Sequence, residues 1–284
     1  MRAAKWLWGT SWPLYAATVL LSNVIGALAI MLFIRFLIPM PEVRSFRADV
    51  PHLEVIGLGY LAFAVIVGIV ATLMLFRPVL DWQRHPDQHD PNMVRNLVMR
   101  IPVYQALVCL VVWAIGIAIA VAVAASSSGR LAVVIGLATS LAGMIVVLLT
   151  YLEAERLVRP VAAEALARRF EDSTLEPPIT QRLRLTWVMT TAVPVFGILL
   201  LAMAQRAGFF MGNAGELIPG IVALSVTALV TGFVGTTFAI MSVVDPILEL
   251  QEAINRVRRG DTDAQVDIYD GSEMGVLQAG FNEM

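Results

Sequence analysis

Long apolar stretches separated by short polar ones run through most of this chain of 284 residues. Six of these stretches are each close to the ~20 residues that a helix needs to cross a bilayer. Because a backbone inside lipid must satisfy its own hydrogen bonds, we predict that each forms a membrane-spanning helix. The predicted spans are residues 13–34, 55–76, 101–125, 131–152, 185–204 and 217–244. The predicted fold class is therefore all-α, with a polytopic six-helix membrane bundle over residues 1–244.

A different pattern begins at residue 245. Apolar residues recur there at spacings of three and four, which is typical of a short coiled-coil seam. The first seam consists of Ile247, Leu250, Ile254 and Val257, and the second of Met274, Leu277, Phe281 and Met284. Between the seams lies a polar connector, which Gly260 opens and which Val266 and Ile268 are expected to anchor. An ordinary amphipathic helical hairpin is the alternative interpretation.

Residues 245–284 resemble a HAMP domain, the parallel, dimeric helix–connector–helix relay found just inside bacterial membrane receptors. Pro246 is expected to open the first helix, where its missing N–H costs little. Gly260 stands where a glycine would end that helix. Glu273-Met274-Gly275 matches the family's acidic–apolar–glycine signature at the start of the second helix, and Phe281-Asn282 matches that helix further on.

The resemblance to HAMP domains implies which residues pass on a signal. These are Asp245, Pro246, Ile247, Leu250, Ile254, Val257, Gly260, Val266, Ile268, Glu273, Gly275, Leu277 and Phe281. Two residues depart from the family pattern: Ser272 stands where Asp is usual, and Thr262 stands where the connector usually has an apolar residue. The second helix is expected to continue beyond Met284.

Composition and charge agree with a membrane protein. Hydrophobic residues make up 58% and charged residues 15% of the chain, against about 45–50% and about 25% in soluble domains. If the spans are as predicted, one side of the membrane carries fifteen of the Lys and Arg residues and the other carries five. The positive-inside rule then predicts a multi-pass protein of the cell membrane with both termini in the cytoplasm. No basic patch with interleaved aromatics occurs, so nucleic acid is not an expected partner.

Prolines recur near the ends of the second, fourth and sixth predicted spans, at Pro78, Pro160 and Pro246. This recurrence suggests three parallel repeats of a two-helix unit. The alternative is that prolines recur there because of membrane topology alone.

Few polar residues lie within the predicted spans. Asn23 and Gln105 are uncharged and are expected to hold helices together. Acidic residues are expected only outside the spans, which argues against an ion-coupled transporter. In the loop over residues 153–184, Glu155 and Arg159 are four apart and are expected to pair on one helix face. That loop either extends the fourth helix to the HAMP segment or is a solvated basic loop near anionic lipid.

The resemblance widens when the whole chain is considered. Six spans without a separate sensor domain, followed by phrases such as DPILELQEAI, RRGD, VDIYDGSEMG and GFNEM, look like the actinobacterial membrane adenylate cyclases of class III. This resemblance implies a catalytic domain beyond Met284 that binds ATP and two divalent metal ions, Mg or Mn, and makes cyclic AMP and diphosphate. No catalytic, cofactor-binding or metal-binding residue is expected within residues 1–284.

The expected role is thus that of a membrane anchor, sensor and HAMP relay. The resemblance implies a homodimer through the HAMP segment and the membrane helices, with the bilayer and a lipid or other hydrophobic ligand as further partners. Two alternatives stay open: a non-catalytic HAMP receptor that docks partner proteins, and a sensor histidine kinase.

Overall fold

The protein is represented by a computed structural model, which describes residues 12–38, 43, 53–85, 88, 90–167, 179–208, 214–261, 264–266, 268 and 273–284. Helices dominate these ranges, and no β-strand occurs within them. The helices are α1 (Trp12–Phe36), α2 (Leu53–Arg84), α3 (Pro91–Ala125), α4 (Gly129–Ala167), α5 (Ile179–Trp187), α6 (Val193–Arg206), α7 (Ile218–Arg258) and α8 (Glu273–Asn282). The predicted all-α fold class is confirmed.

Within the described ranges, six helical rods are long and apolar enough to cross a membrane. Five of them are α1, α2, α3, α4 and α7. The remaining rod consists of α5 and α6, which a π-helical turn over Val188–Ala192 joins without leaving helical geometry. This agrees with the six spans predicted from the apolar stretches.

Two helices run well past the ends of their predicted membrane spans. We predicted that these spans end near residues 76 and 152, whereas α2 continues to Arg84 and α4 to Ala167. The reason is tertiary packing, because Val79 and Trp82 on α2 and Val158 on α4 are almost completely buried beyond those points. Burial of these side chains holds both helices through internal prolines, which would otherwise favour a break.

Helices α1 to α4 form what we call the membrane unit, in which the α3–α4 contact is the most extensive. One end of the unit is closed by an apolar cluster that we call the base cluster. It consists of Tyr15, Val19, Phe76, Val79, Trp82, Val94, Val98, Met99, Ile101, Ala154, Val158, Val161 and Ala162. All four helices contribute to the cluster, so a shift of one of them at this end displaces its neighbours.

Side-chain hydrogen bonds link α1, α3 and α4 in the interior of the membrane unit. The Asn23 amide nitrogen donates to Thr150 Oγ1 at 3.0 Å and to the Val19 carbonyl at 2.8 Å. The Asn23 amide oxygen accepts from Cys109 Sγ at 3.0 Å and from Trp113 Nε1 at 3.1 Å. Both amide hydrogens and both oxygen lone pairs are therefore engaged. The prediction that Asn23 holds helices together is confirmed.

An acidic side chain also lies inside the membrane unit. Glu153 was expected beyond the fourth span, but it is only 9% exposed and accepts a hydrogen bond from Ser22 Oγ at 2.8 Å. The sequence was misleading because α4 packs on α1 past residue 152. The expected pairing of Glu155 with Arg159 is confirmed, at 3.9 Å between Oε1 and Nη2.

Candidate signal-relay site

Helix α7 connects the membrane to the carboxyl-terminal segment without a break. It spans 41 residues, from Ile218 to Arg258. We predicted that Pro246 opens a helix, and this is wrong, because Pro246 lies inside α7 and is buried. A proline at an internal position removes one backbone hydrogen bond, and its ring crowds the carbonyl four residues earlier. Position 246 is therefore the point at which α7 bends most easily.

The membrane unit contacts α7 immediately before this proline. Arg156 on α4 lies with its Nη1 atom 3.6 Å from Oδ2 of Asp245 on α7, and both side chains are partly exposed. The extension of α4 that we considered for residues 153–184 thus exists as far as Ala167 and reaches the start of the predicted relay. The solvated-loop alternative does not apply to these residues.

The end of α7 is fixed by the local sequence. Gly260 has a φ of +97°, a conformation that residues with a side chain rarely adopt. Its N–H donates to the Val257 carbonyl at 2.9 Å, and the N–H of Asp261 donates to the Arg256 carbonyl at 3.1 Å. These two bonds make the Schellman arrangement that ends many helices at a glycine.

Hydrogen bonds hold the described part of the connector against both helices. The Asn282 side chain on α8 accepts from the Val266 N–H at 2.9 Å and donates to the Val266 carbonyl at 2.8 Å. On the other side, Arg256 Nη2 on α7 donates to the Gln265 carbonyl at 2.7 Å. Val266 itself is buried. The connector is thus clamped to the last turns of α7 and α8.

Ile268 joins the connector to the membrane unit. We expected it to anchor the connector, together with Val266, within the helix–connector–helix segment. It packs instead against the base cluster of α1 to α4. Among the described residues, the relay segment therefore contacts the membrane unit through the ion pair at Asp245 and through this apolar contact.

A small core lies between α7, the connector and α8. Ala253 is completely buried on α7, and Met274, Gly275 and Ala279 are buried on α8. Ala264 of the connector is buried as well. Apart from Met274 these residues are alanine or glycine, so this core contributes little apolar area compared with the base cluster.

The predicted seams lie mostly outside this core. Ile247, Ile254 and Val257 on α7 and Leu277 on α8 are between 43% and 52% exposed. Leu250 and Phe281 are partly buried, and Met284 is almost fully exposed. A row of half-exposed aliphatic side chains at coiled-coil spacing is what one chain of a coiled coil presents before its partner binds.

Gln278 is the one fully buried amide of the relay segment as described. Its exposure is 0%, and neither Oε1 nor Nε2 has a hydrogen-bond partner in the part of the chain that the structure covers. Such a group costs free energy, typically about 1–3 kcal/mol, relative to one that is hydrogen-bonded.

Several residues of the relay were not found from the sequence. Arg156 and Gln278 carry no local signal, because the partner of Arg156 is distant in the chain and the burial of Gln278 depends on how α8 packs. Among the predicted residues, Glu273 begins α8, where an acidic side chain suits the positive end of the helix dipole. The two departures from the HAMP pattern, Thr262 and Ser272, lie outside the described residues.

The geometry of the site is suited to passing on a movement. In the described ranges no group of three or more His, Cys, Asp and Glu side chains is arranged to hold a metal ion. What the site contains is a continuous helix with a bend point, a clamped connector and an apolar seam that is mostly half-exposed.

Comparison with known proteins identifies the carboxyl-terminal segment. Residues 238–284 match the HAMP domain family. The match begins inside the sixth apolar helix, as expected if α7 serves both the membrane and the relay. The chain is therefore a multi-pass membrane protein that contains a HAMP domain for signal relay.

Similar proteins are found in mycobacteria. The chain is 28% identical over 272 residues to the uncharacterized protein Rv1319c of Mycobacterium tuberculosis, which covers 94% of this chain and 49% of that protein. It is 28% identical over 271 residues to Rv1318c of the same organism, with the same coverage, and 27% identical over 270 residues to Mb1354c of Mycobacterium bovis, covering 94% and 46%. The chain thus spans about half the length of these relatives. No solved structure matches it.

Proposed function

We propose that this chain anchors an adenylate cyclase in the plasma membrane and relays a signal from its membrane helices to the catalytic domain. Both termini of the chain would lie in the cytoplasm. The observation that carries the proposal is α7, which runs from the membrane span into the HAMP domain as one helix and is contacted by the membrane unit at Asp245. At ~1.5 Å per residue, α7 is roughly 60 Å long and can transmit a displacement over that distance.

The input to this relay is a change in how the membrane helices pack. A shift of α4 displaces Arg156 and hence Asp245, and a shift of the base cluster displaces Ile268 and hence the connector. The first of these contacts adjoins Pro246, where α7 bends most easily. Packed interfaces of this kind tend to switch between discrete arrangements rather than deform continuously.

The output is a change in a dimeric bundle. The half-exposed seam of α7 and α8 is proposed to bind the same seam of a second copy, giving a parallel four-helix bundle. Aliphatic side chains at coiled-coil spacing favour this occupant, and so does the match to the HAMP domain family. The seam positions Ile247, Ile254 and Leu277 are all aliphatic, so two copies can meet there without burying a charge.

The chemistry belongs to a domain that the resemblance to class III adenylate cyclases implies beyond residue 284. Relatives about twice as long as the matched region have room for such a domain. It would join the ribose 3′-oxygen of ATP to the α-phosphate and release diphosphate, a step that divalent metal ions promote by stabilising developing charge. Residues 1–284 would supply regulation and dimerisation.

The test compares the natural protein that contains this chain with residues 1–284 alone, both in membranes. The natural protein is expected to convert ATP to cyclic AMP with Mg²⁺ or Mn²⁺, and residues 1–284 are expected to be inactive. Cyclic AMP made by residues 1–284 would contradict the proposal. Autophosphorylation of the natural protein without cyclic AMP would identify a histidine kinase instead, and neither activity would favour a receptor that docks partner proteins.

A further inference from the structure

An elongated cavity of about 200 Å³ lies between α1, α2 and α3 of the membrane unit, with α4 contributing Thr139. On α1 its lining extends from Val19 to Ile34, which corresponds to roughly 22 Å of helix. Side chains of Val, Leu, Ile, Ala and Met make up most of the wall. A cavity of ~150 Å³ with such walls takes up benzene. This one is larger but narrow for its length, so it suits an extended chain better than a ring.

Fixed contacts keep the cavity open. Asn23 lies in its wall with all of its hydrogen-bonding capacity used by neighbours on α1, α3 and α4. Tyr60 on α2 donates its hydroxyl hydrogen to the Val112 carbonyl on α3. A methyl group at Gly116 would come within 2.7 Å of the Tyr60 ring. The position of α2 is thus set by contacts at the cavity wall.

One hydrogen-bond donor in the wall is unused. Gln105 is 3% exposed, and its Oε1 accepts from Thr72 Oγ1 at 3.3 Å. In the described part of the chain its Nε2 makes no hydrogen bond, and the residue lines the cavity. An unpaired donor in apolar surroundings is costly, and a ligand oxygen that accepted from it would remove that cost.

The position of Gln105 also orients the ligand. It lies five residues from Arg100, which is exposed at the end of the membrane unit that carries the base cluster. Five residues correspond to about 7.5 Å of helix. An amphiphile with its polar head at Gln105 would therefore keep that head near the membrane surface and place its hydrocarbon along α1 toward Ile34.

We propose that this cavity binds the hydrocarbon chain of an amphiphile whose head group presents a hydrogen-bond-accepting oxygen to Gln105, as a carboxylic acid or an ester does. The free amphiphile and the acyl chain of a bilayer lipid share this chemistry. The proposal of binding depends only on the cavity and on Gln105. Its consequence rests on the proposed function: a chain between α1 and α2 separates their ends in the base cluster and so displaces Ile268.

Binding is tested with the natural protein in lipid nanodiscs, using a hexadecanoic acid that carries a photoactivatable diazirine on its chain. Labelled residues are then identified by mass spectrometry. Labelling is expected on cavity residues of α1, α2 and α3. Ala64→Phe and Ala27→Leu, which fill the cavity from α2 and α1, are each expected to reduce that labelling at least fivefold.

Matched controls lie on the same helices but face lipid. Ala62→Phe on α2 and Ala29→Leu on α1 sit at exposed positions and are expected to leave cavity labelling unchanged. Gln105→Leu keeps the cavity but removes the donor. It is expected to erase a roughly threefold to tenfold preference for the acid over a diazirine hydrocarbon without a head group, a ratio typical of one hydrogen bond.

Two further arms separate the sources of the chain. A diazirine on a phosphatidylcholine acyl chain labels the cavity if bilayer lipid is the occupant, whereas only the free acid labels it if the amphiphile is taken up alone. Either result supports the proposal. Equal labelling of cavity and lipid-facing residues, unchanged by both filling variants, overturns it. Labelling does not depend on cyclic AMP production. The binding proposal can therefore be tested even if the proposed adenylate cyclase function is wrong.

Discussion

The membrane unit and the HAMP domain of this protein each contain a side-chain amide among packed helices, the partly buried Asn23 and the fully buried Gln278, and the two amides differ in their hydrogen bonds. Asn23 makes four hydrogen bonds that link three helices. Gln278 is completely buried and makes none within the described residues. The two regions also differ in their apolar packing. The base cluster of the membrane unit is large and buried, whereas the HAMP core is small and leaves its seam half-exposed.

This contrast shows which region can change state. A unit whose helices are linked by a fully hydrogen-bonded amide and by a large apolar cluster favours one packing. A unit with an unsatisfied buried amide and an open apolar seam is less stable alone, and alternative packings then lie close in free energy. The membrane unit is thus expected to change its packing only when a signal acts on it, and the HAMP domain to respond readily to that change.

The largest expected effect comes from preventing a second copy from binding to the seam. Leu277→Lys would place a charge in the apolar centre of the proposed bundle, a change that costs several kcal/mol when the charge is left unpaired. We expect the natural protein to lose its dimer and its regulated output. Subunit counting by single-molecule photobleaching in nanodiscs measures loss of the dimer. Cyclic AMP production measures loss of the regulated output.

Glu283→Lys is the matched control for Leu277→Lys. Glu283 is exposed just after the end of the same helix, so the lysine there lies outside the seam and is expected to leave the dimer intact. An undisturbed dimer in Leu277→Lys would show that the seam faces solvent and that the two regions differ for another reason.

An intermediate effect tests the contrast between the two amides directly. Asn23→Leu is expected to destabilise the membrane unit by about 1–3 kcal/mol, because Thr150 and Trp113 lose their partner across helices. Gln278→Leu is expected to stabilise the HAMP domain by about 1–3 kcal/mol, because it removes an unpaired buried amide. Hydrogen exchange of the backbone amides in α1 and α8 measures both changes in one protein.

Thr18→Val and Gln251→Leu serve as controls for this pair. Thr18 bonds only to the Leu14 carbonyl of its own helix, and Gln251 is exposed on α7, so neither change should alter exchange in α1 or α8. Destabilisation by Gln278→Leu would mean that this amide finds a partner in the dimer, and the contrast with Asn23 would then disappear.

Local patterns predicted the parts of this structure that depend on local physics. Apolar length predicted six spans, and the glycine at position 260 was expected where α7 ends. The pairing of Glu155 with Arg159 followed from helical spacing. Features that depend on packing between distant segments escaped prediction: the continuation of α2 past Pro78, the burial of Glu153 and the cavity beside Gln105. Each is decided by which helices become neighbours.

The smallest expected effect concerns the link between the two regions. Arg156 and Asp245 are partly exposed, and such ion pairs contribute about 0.2–1 kcal/mol. Asp245→Arg is therefore expected to shift basal output of the natural protein by a factor of roughly 1.4 to 5. Arg156→Asp in the same molecule is expected to restore the basal output.

Glu252→Arg is the control, because it makes the same charge change at an exposed position two turns further along α7. This variant is expected to have no effect on the basal output. A shift that persists in the double variant would mean that Asp245 acts on α7 itself, and the membrane unit would then reach the HAMP domain through Ile268 alone.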